Sequence, residues 1–138
     1  MIKVSITADL CTDPTARHFA QIVARCLSNL PTSALLGCRG GFERNANAMA
    51  AGIEKFHIRM PDDIPWPSHV PINRRTSNNF LVFARHFYDD DYFQILALVS
   101  PDAHQRIDAM LPRLIDLAEN TFIELSDEDL DRLEHFTA

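Results

Sequence analysis

Residues 74–104 read R-R-T-S-N-N-F-L-V-F-A-R-H-F-Y-D-D-D-Y-F-Q-I-L-A-L-V-S-P-D-A-H. Residues 80–87 and 92–99 of this stretch are rich in Phe, Val, Leu, Ile and Tyr, which favour a pleated surface. Asp89, Asp90 and Asp91 fall between the two runs, as a charged turn should. The segment therefore reads as a β-hairpin. Its two ends lie side by side, about 5 Å apart. Arg75, before the first strand, and His104, after the second, are then expected to be neighbours at one end of a sheet. A cation beside an imidazole is an arrangement suited to phosphate chemistry.

Working outward, Lys55–Met60 alternates strictly. Phe56, Ile58 and Met60 point one way, and Lys55, His57 and Arg59 the other. This is a strand with one apolar and one basic face. Residues 2–7 (I-K-V-S-I-T) are a further alternating strand. Asp13-Pro14 starts a helix, with a capping side chain followed by proline at the first helical position. Phe19, Ile22, Val23, Cys26, Leu27 and Leu30 recur at helical spacing up to Pro31. Between residues 33 and 54, Gly37, Gly40 and Gly41 read as turns, and Ala46–Ala51 as a short helix. Four prolines surround Trp66 in residues 61–73, an ordered extended loop whose tryptophan either seals the core edge or stacks on a base.

After the hairpin, Ser100-Pro101-Asp102 opens a second helix carrying Ala103, Ile107, Leu111, Leu114, Ile115 and Ala118. Pro112 should kink or split it. Ser126-Asp127-Glu128-Asp129 caps a short acidic helix. The order β-α-(irregular)-β-β-β-α-α predicts an α+β fold. Its expected form is a single compact domain over residues 1–125, with a small, mainly antiparallel sheet and helices packed on one face. A short acidic helix or tail over 126–138 is expected to follow.

A chain of 138 residues suits one domain and buries about two thirds of its unfolded surface. No apolar run reaches membrane-spanning length and no basic-then-apolar leader opens the chain, so a cytoplasmic protein without membrane contact is expected. Cys11, Cys26 and Cys38 are odd in number and widely spaced, which excludes a disulfide framework or zinc knuckle. Six histidines lack metal-ligand spacing, so neither a metal nor another cofactor is expected. The net charge of −6 comes from the last twenty residues, where seven acids face only Arg132. The body is neutral, which argues against binding long RNA or DNA through bulk charge. The acidic tail either covers the basic face or stays solvated.

The segments G-F-E-R-N (41–45), H-I-R (57–59), R-T-S-N (75–78), L-V-F (81–83), L-A-L-V-S-P-D-A-H (96–104) and L-A-E-N-T-F (117–122) resemble the YafO-type toxins of type II toxin–antitoxin systems. The resemblance spans about residues 35–123. It implies a RelE-like fold and a ribosome-dependent mRNA endoribonuclease, an mRNA interferase that inhibits translation. It also implies a cognate antitoxin encoded beside the toxin, with the ribosome and mRNA as further partners and DNA reached only through the antitoxin complex. Two positions depart from the family pattern: Asn78, where an acid usually follows R-T-S, and Arg59, where His-x-His is common.

Metal-independent RNA cleavage needs a base for the ribose 2′-OH, a cation for the phosphorane and an acid for the 5′-oxygen. His57 and His104 are the acid–base candidates, because imidazole can supply either proton step. Arg75 and Arg59 are the phosphate cations, and Thr76 orients the phosphate. Lys55, Arg44 and Arg85 add RNA contacts. His86, alternating with apolar neighbours, reads as a satisfied sheet residue. The alternative function is a non-catalytic binding module of the same fold acting through a protein partner.

Overall fold

A computed structural model describes residues 1–138. Five strands form one sheet: β1 (Lys3–Ile6), β2 (Leu36–Gly41), β3 (Ile53–Ile58), β4 (Phe80–Arg85) and β5 (Tyr92–Val99). Four α-helices accompany them: α1 (Pro14–Leu27), α2 (Ala46–Ala50), α3 (Ala103–Thr121) and α4 (Asp127–Asp131). The strand order is β1-β5-β4-β3-β2. Three of its four pairings are antiparallel, and β1 joins parallel to β5. The fold is thus α+β, in one compact domain with a mixed, mainly antiparallel sheet. No helix is long and apolar enough to cross a membrane.

Helices cover both faces of this sheet, where packing on one face was expected. Phe19 and Val23 of α1 pack on Val4, Phe56, Ile58, Leu81, Phe83 and Ile95. On the other side Leu111 and Leu114 of α3 and Leu130 of α4 pack on Ile53, Phe80, Val82 and Val99. The reason lies in the unbroken apolar run Phe80–Ala84: a strand buried on both faces does not alternate. The basic alternation of β3 marks only the mouth of the second layer.

Gly37, Gly40 and Gly41 lie in edge strand β2, not in turns. At Gly37 a Cβ would come within 2.5 Å of the Arg75 carbonyl oxygen and 2.8 Å of the Trp66 ring. The bare backbone therefore admits the 66–75 loop against the strand. Trp66 is buried there and seals the sheet edge. The opposite edge is closed by the C-terminal segment. Val4 donates its N–H to the Phe136 carbonyl at 2.9 Å, and Phe136 returns the bond at 2.8 Å. Arg17 pairs with Glu134 at 2.7 Å. The acidic tail accordingly does not lie over the basic face; its backbone docks on β1 while its carboxylates stay at the surface, Glu134 pairing with Arg17 of α1.

The start of α1 is as the sequence reads, and the start of α3 differs from it. Asp13 caps α1 by accepting the Thr15 N–H. Asp102 precedes α3 in a left-handed conformation (φ 58°), and its side chain caps nothing. Asn78 supplies the cap from the neighbouring loop instead, as described below. Pro112 does not split α3, which runs unbroken for 19 residues. Pro112 is exposed, so the backbone position that loses its hydrogen bond faces water.

Candidate active site

Residues 75–79 form a loop laid between the end of β3 and the start of α3. The Ser77 hydroxyl donates to the Ile58 carbonyl at 2.7 Å and accepts the Asn79 N–H at 3.2 Å. Asn79 accepts the Ile58 N–H and the Ser100 hydroxyl. Asn78 reaches the other way. Its carbonyl takes the Ala103 N–H at 3.0 Å and its Oδ1 takes the His104 N–H at 2.8 Å. Its Nδ2 donates to Gln105 Oε1. One loop residue thus satisfies two of the orphan donors at the start of α3. The amide at position 78, where the resemblance led an acid to be expected, is a structural clamp.

The clamp brings two imidazoles together. His57 faces the α3 side of the sheet, opposite Phe80 on β4. His104 stands in the first turn of α3. Their ring centroids are 5.7 Å apart, and both meet the Phe80 ring edge-on, at 5.0 and 4.8 Å. Both also meet one carbonyl. His57 Nδ1 is 2.9 Å and His104 Nε2 is 3.2 Å from the Ser77 oxygen. The Ser77 N–H lies 3.0 Å from the same His57 nitrogen. Ser77 therefore supports either neutral tautomer of His57: its carbonyl accepts from Nδ1–H, and its amide donates to a bare Nδ1. Burial, with smaller contributions from Lys55 and His104, pushes the His57 pKa below its ordinary value against the Ser77 bond. The ring is thus held neutral near pH 7, as a proton acceptor needs to be.

Lys55 lies two residues before His57 on the same face. Its ammonium sits 4.5 Å from the Phe80 ring centre and 5.0 Å from that of Phe42. Desolvation lowers its pKa, with Glu43 and Asp108 acting in the opposite direction. Lys55 and His104 line a cleft of about 480 Å³ with Phe42, Glu43, Arg44 and Asp108.

The structure therefore gathers His57, His104, Lys55 and Arg44, and separates the remaining candidates. Arg75 is turned inward and is 7% exposed. Its Nε donates to the Val70 carbonyl at 2.9 Å, and its Nη1 meets the Ser33 and Leu36 carbonyls at 3.2 and 3.1 Å. A guanidinium so used holds the loop against β2 and does not face the histidines. Arg59 lies over Trp66, 4.7 Å from its ring, and donates to the Ile64 carbonyl. With Thr76 it lines a shallow neighbouring groove that also contains Asp62 and Asp63. Arg85 is at the far end of β4, about 17 Å from Phe80 at the usual strand rise.

Sequence reasoning missed Ser77, Phe80, Phe42 and Asp108. Phe80 was recoverable from the hairpin register, and Asp108 from its position one helical turn beyond His104. Ser77 acts through its backbone carbonyl, which no side-chain pattern announces.

No curated protein and no solved structure matches the chain. The family model described as "Toxin YafO, type II toxin-antitoxin system" matches residues 23–124. That span contains β2 to β5, all of α3 and every residue of the histidine cluster. Membership of such a family implies an antitoxin partner. On this match, the chain belongs to the YafO family of type II toxin–antitoxin toxins.

Proposed function

We propose that this toxin is a metal-independent endoribonuclease that cuts messenger RNA on the ribosome. The observation that carries the reading is the pair of imidazoles 5.7 Å apart on one carbonyl, beside a cleft with a lysine in its wall. His57 takes the ribose 2′-OH proton at Nε2. The 2′-oxygen then attacks the adjacent phosphorus, a 2′,3′-cyclic phosphate forms, and His104 protonates the departing 5′-oxygen. Lys55 offsets the charge that builds on the phosphorane. This reading puts Lys55 in the role expected of Arg75, whose Nε and Nη1 are bonded to backbone carbonyls. Arg44 contacts the RNA backbone from the cleft rim, and Arg59 and Thr76 contact it from the neighbouring groove. Arg75 is a positioning residue for the loop that carries Ser77.

Ribosome dependence is supported by the neutral body of the chain, which gives little affinity for free RNA. The test is primer extension on a message, with purified toxin, with and without programmed ribosomes. New 5′ ends only in the ribosome sample are expected. Ends in both samples would remove the ribosome from the reading, and none in either would favour a non-catalytic binding module acting through a partner. A cytoplasmic location belongs to the same proposal.

A further inference from the structure

A second opening lies at the far end of the sheet from His57 and His104. There the β4–β5 hairpin tip, α2 and the end of α3 enclose a groove of about 340 Å³. Ala51 and Ile123, both buried, form its floor. Phe87 forms one wall and is 42% exposed. Tyr88, 80% exposed, continues the aromatic surface with its ring edge-on to Phe87. Exposed aromatics next to each other mark interaction surfaces more often than chance.

These side chains are held out by a fixed backbone. The Phe87 N–H donates to the Ile123 carbonyl at 2.9 Å. His86 accepts the Tyr88 and Asp89 N–H groups at Nδ1, each at 3.1 Å, and donates from Nε2 to the Leu125 carbonyl at 2.8 Å. The groove is therefore preformed, which lowers the ordering cost of binding. Its rim is negative. Glu119 and Glu124 line it, and neither takes part in any of the molecule's ion pairs. Both open the segment in which seven acids face one arginine.

We infer that this groove is the docking site for a basic, amphipathic segment of the antitoxin. An apolar side chain of that segment fills the space between Phe87 and Ile123, and flanking lysines or arginines pair with Glu119 and Glu124. Charge complementarity selects the occupant: the wall is aromatic, the charged residues of the lining are both acidic, and the family supplies a protein partner. The inference rests on family membership, and it stands or falls apart from the nuclease reading.

The experiment uses full-length toxin and the antitoxin encoded beside it, with affinity measured by calorimetry. Phe87→Ser and the double variant Glu119→Lys/Glu124→Lys are each expected to weaken binding at least tenfold. Growth arrest by toxin expressed alone should be unchanged, while rescue by the antitoxin is lost. The charge reversals lie on exposed positions, so they test the site even if Phe87→Ser folds poorly. Wild-type affinity in the double variant would overturn the assignment. So would a Phe87 or double variant that changes the size of toxin alone in solution, because the groove would then belong to a second copy of the chain.

Discussion

His57 and His86 stand at opposite ends of the same sheet, and both are buried, at 8% and 2% exposure. Both are bonded to the backbone of a neighbouring loop. They differ in what is left over. His86 uses both ring nitrogens on the protein, Nδ1 on two amides and Nε2 on the Leu125 carbonyl. His57 uses only Nδ1, on Ser77, and has a second imidazole at 5.7 Å. Burial alone therefore does not mark a histidine as structural. A ring nitrogen with no partner in the fold is the better mark of a candidate, because proton transfer needs a lone pair that the fold has not already used.

The largest expected effect breaks or upholds that contrast directly. His57→Gln and His104→Gln should each lower cleavage on programmed ribosomes by about 10²–10⁴ while leaving the melting temperature nearly unchanged. A His57→Gln protein that unfolds like a core variant would show that His57 and His86 do the same job.

Lys55 and Arg75 pose the same question for cations. Lys55→Met should keep the fold and lower the cleavage rate on the order of 10²-fold, the usual loss when one donor to a developing charge is removed. Arg75→Met should act on stability. It strips the partner from three backbone carbonyls, of which that of Leu36 is buried, and a buried acceptor left unpaired costs about 1–3 kcal/mol. Thermal melts and single-turnover rates, taken at a temperature where both variants are folded, separate the two. Folded Arg75→Met with no cleavage would return Arg75 to the phosphate.

The contrast also explains what the sequence could disclose. The hairpin, both long helices and the basic alternation of β3 followed from side-chain periodicity, because period 2 and period 3.6 are written in the residues themselves. His57 and His104 were legible as candidates by position, one on the basic face of an alternating strand and the other just past the hairpin. What Arg75 would do was not legible. Its guanidinium is occupied by carbonyls of residues 33, 36 and 70, and a backbone acceptor leaves no trace in side-chain identity. Strand β2 was hidden for a related reason. Its glycines exist to admit Trp66 and the Arg75 carbonyl, and close approach across the fold looks like a turn in one dimension. The cap of α3 likewise comes from Asn78 on another element, so Asp102 received the credit.

His86 should lose stability without losing chemistry. His86→Ala leaves two amides and one carbonyl unpaired, and a cost of about 1–3 kcal/mol is expected in denaturant unfolding. The cleavage rate per folded molecule should stay at the wild-type value. Because this histidine ties the hairpin tip to the segment between α3 and α4, the variant should also loosen Phe87 and weaken antitoxin binding. A rate loss in folded protein would place the far end of the sheet in the chemistry.

The smallest effect is read along the pH axis. Burial holds the His57 pKa below its ordinary value, so the neutral ring proposed as the base persists somewhat below pH 6.5. On the acid side the cleavage rate should not fall through the ordinary histidine range, and should fall about tenfold per pH unit only below the depressed pKa. Stability moves in the same direction. Between the folded and unfolded pKa values of His57 the unfolded chain binds the extra proton, so stability is complete above about pH 6.5 and declines as pH falls through that window. The two effects separate because one is a property of folded molecules. The rate is measured where circular dichroism reports full folding, and the His57→Gln variant should flatten the stability slope. A rate that falls already through the ordinary histidine range would mean that the free nitrogen of His57 is solvated like any surface imidazole, and the contrast with His86 would then rest on hydrogen bonding alone.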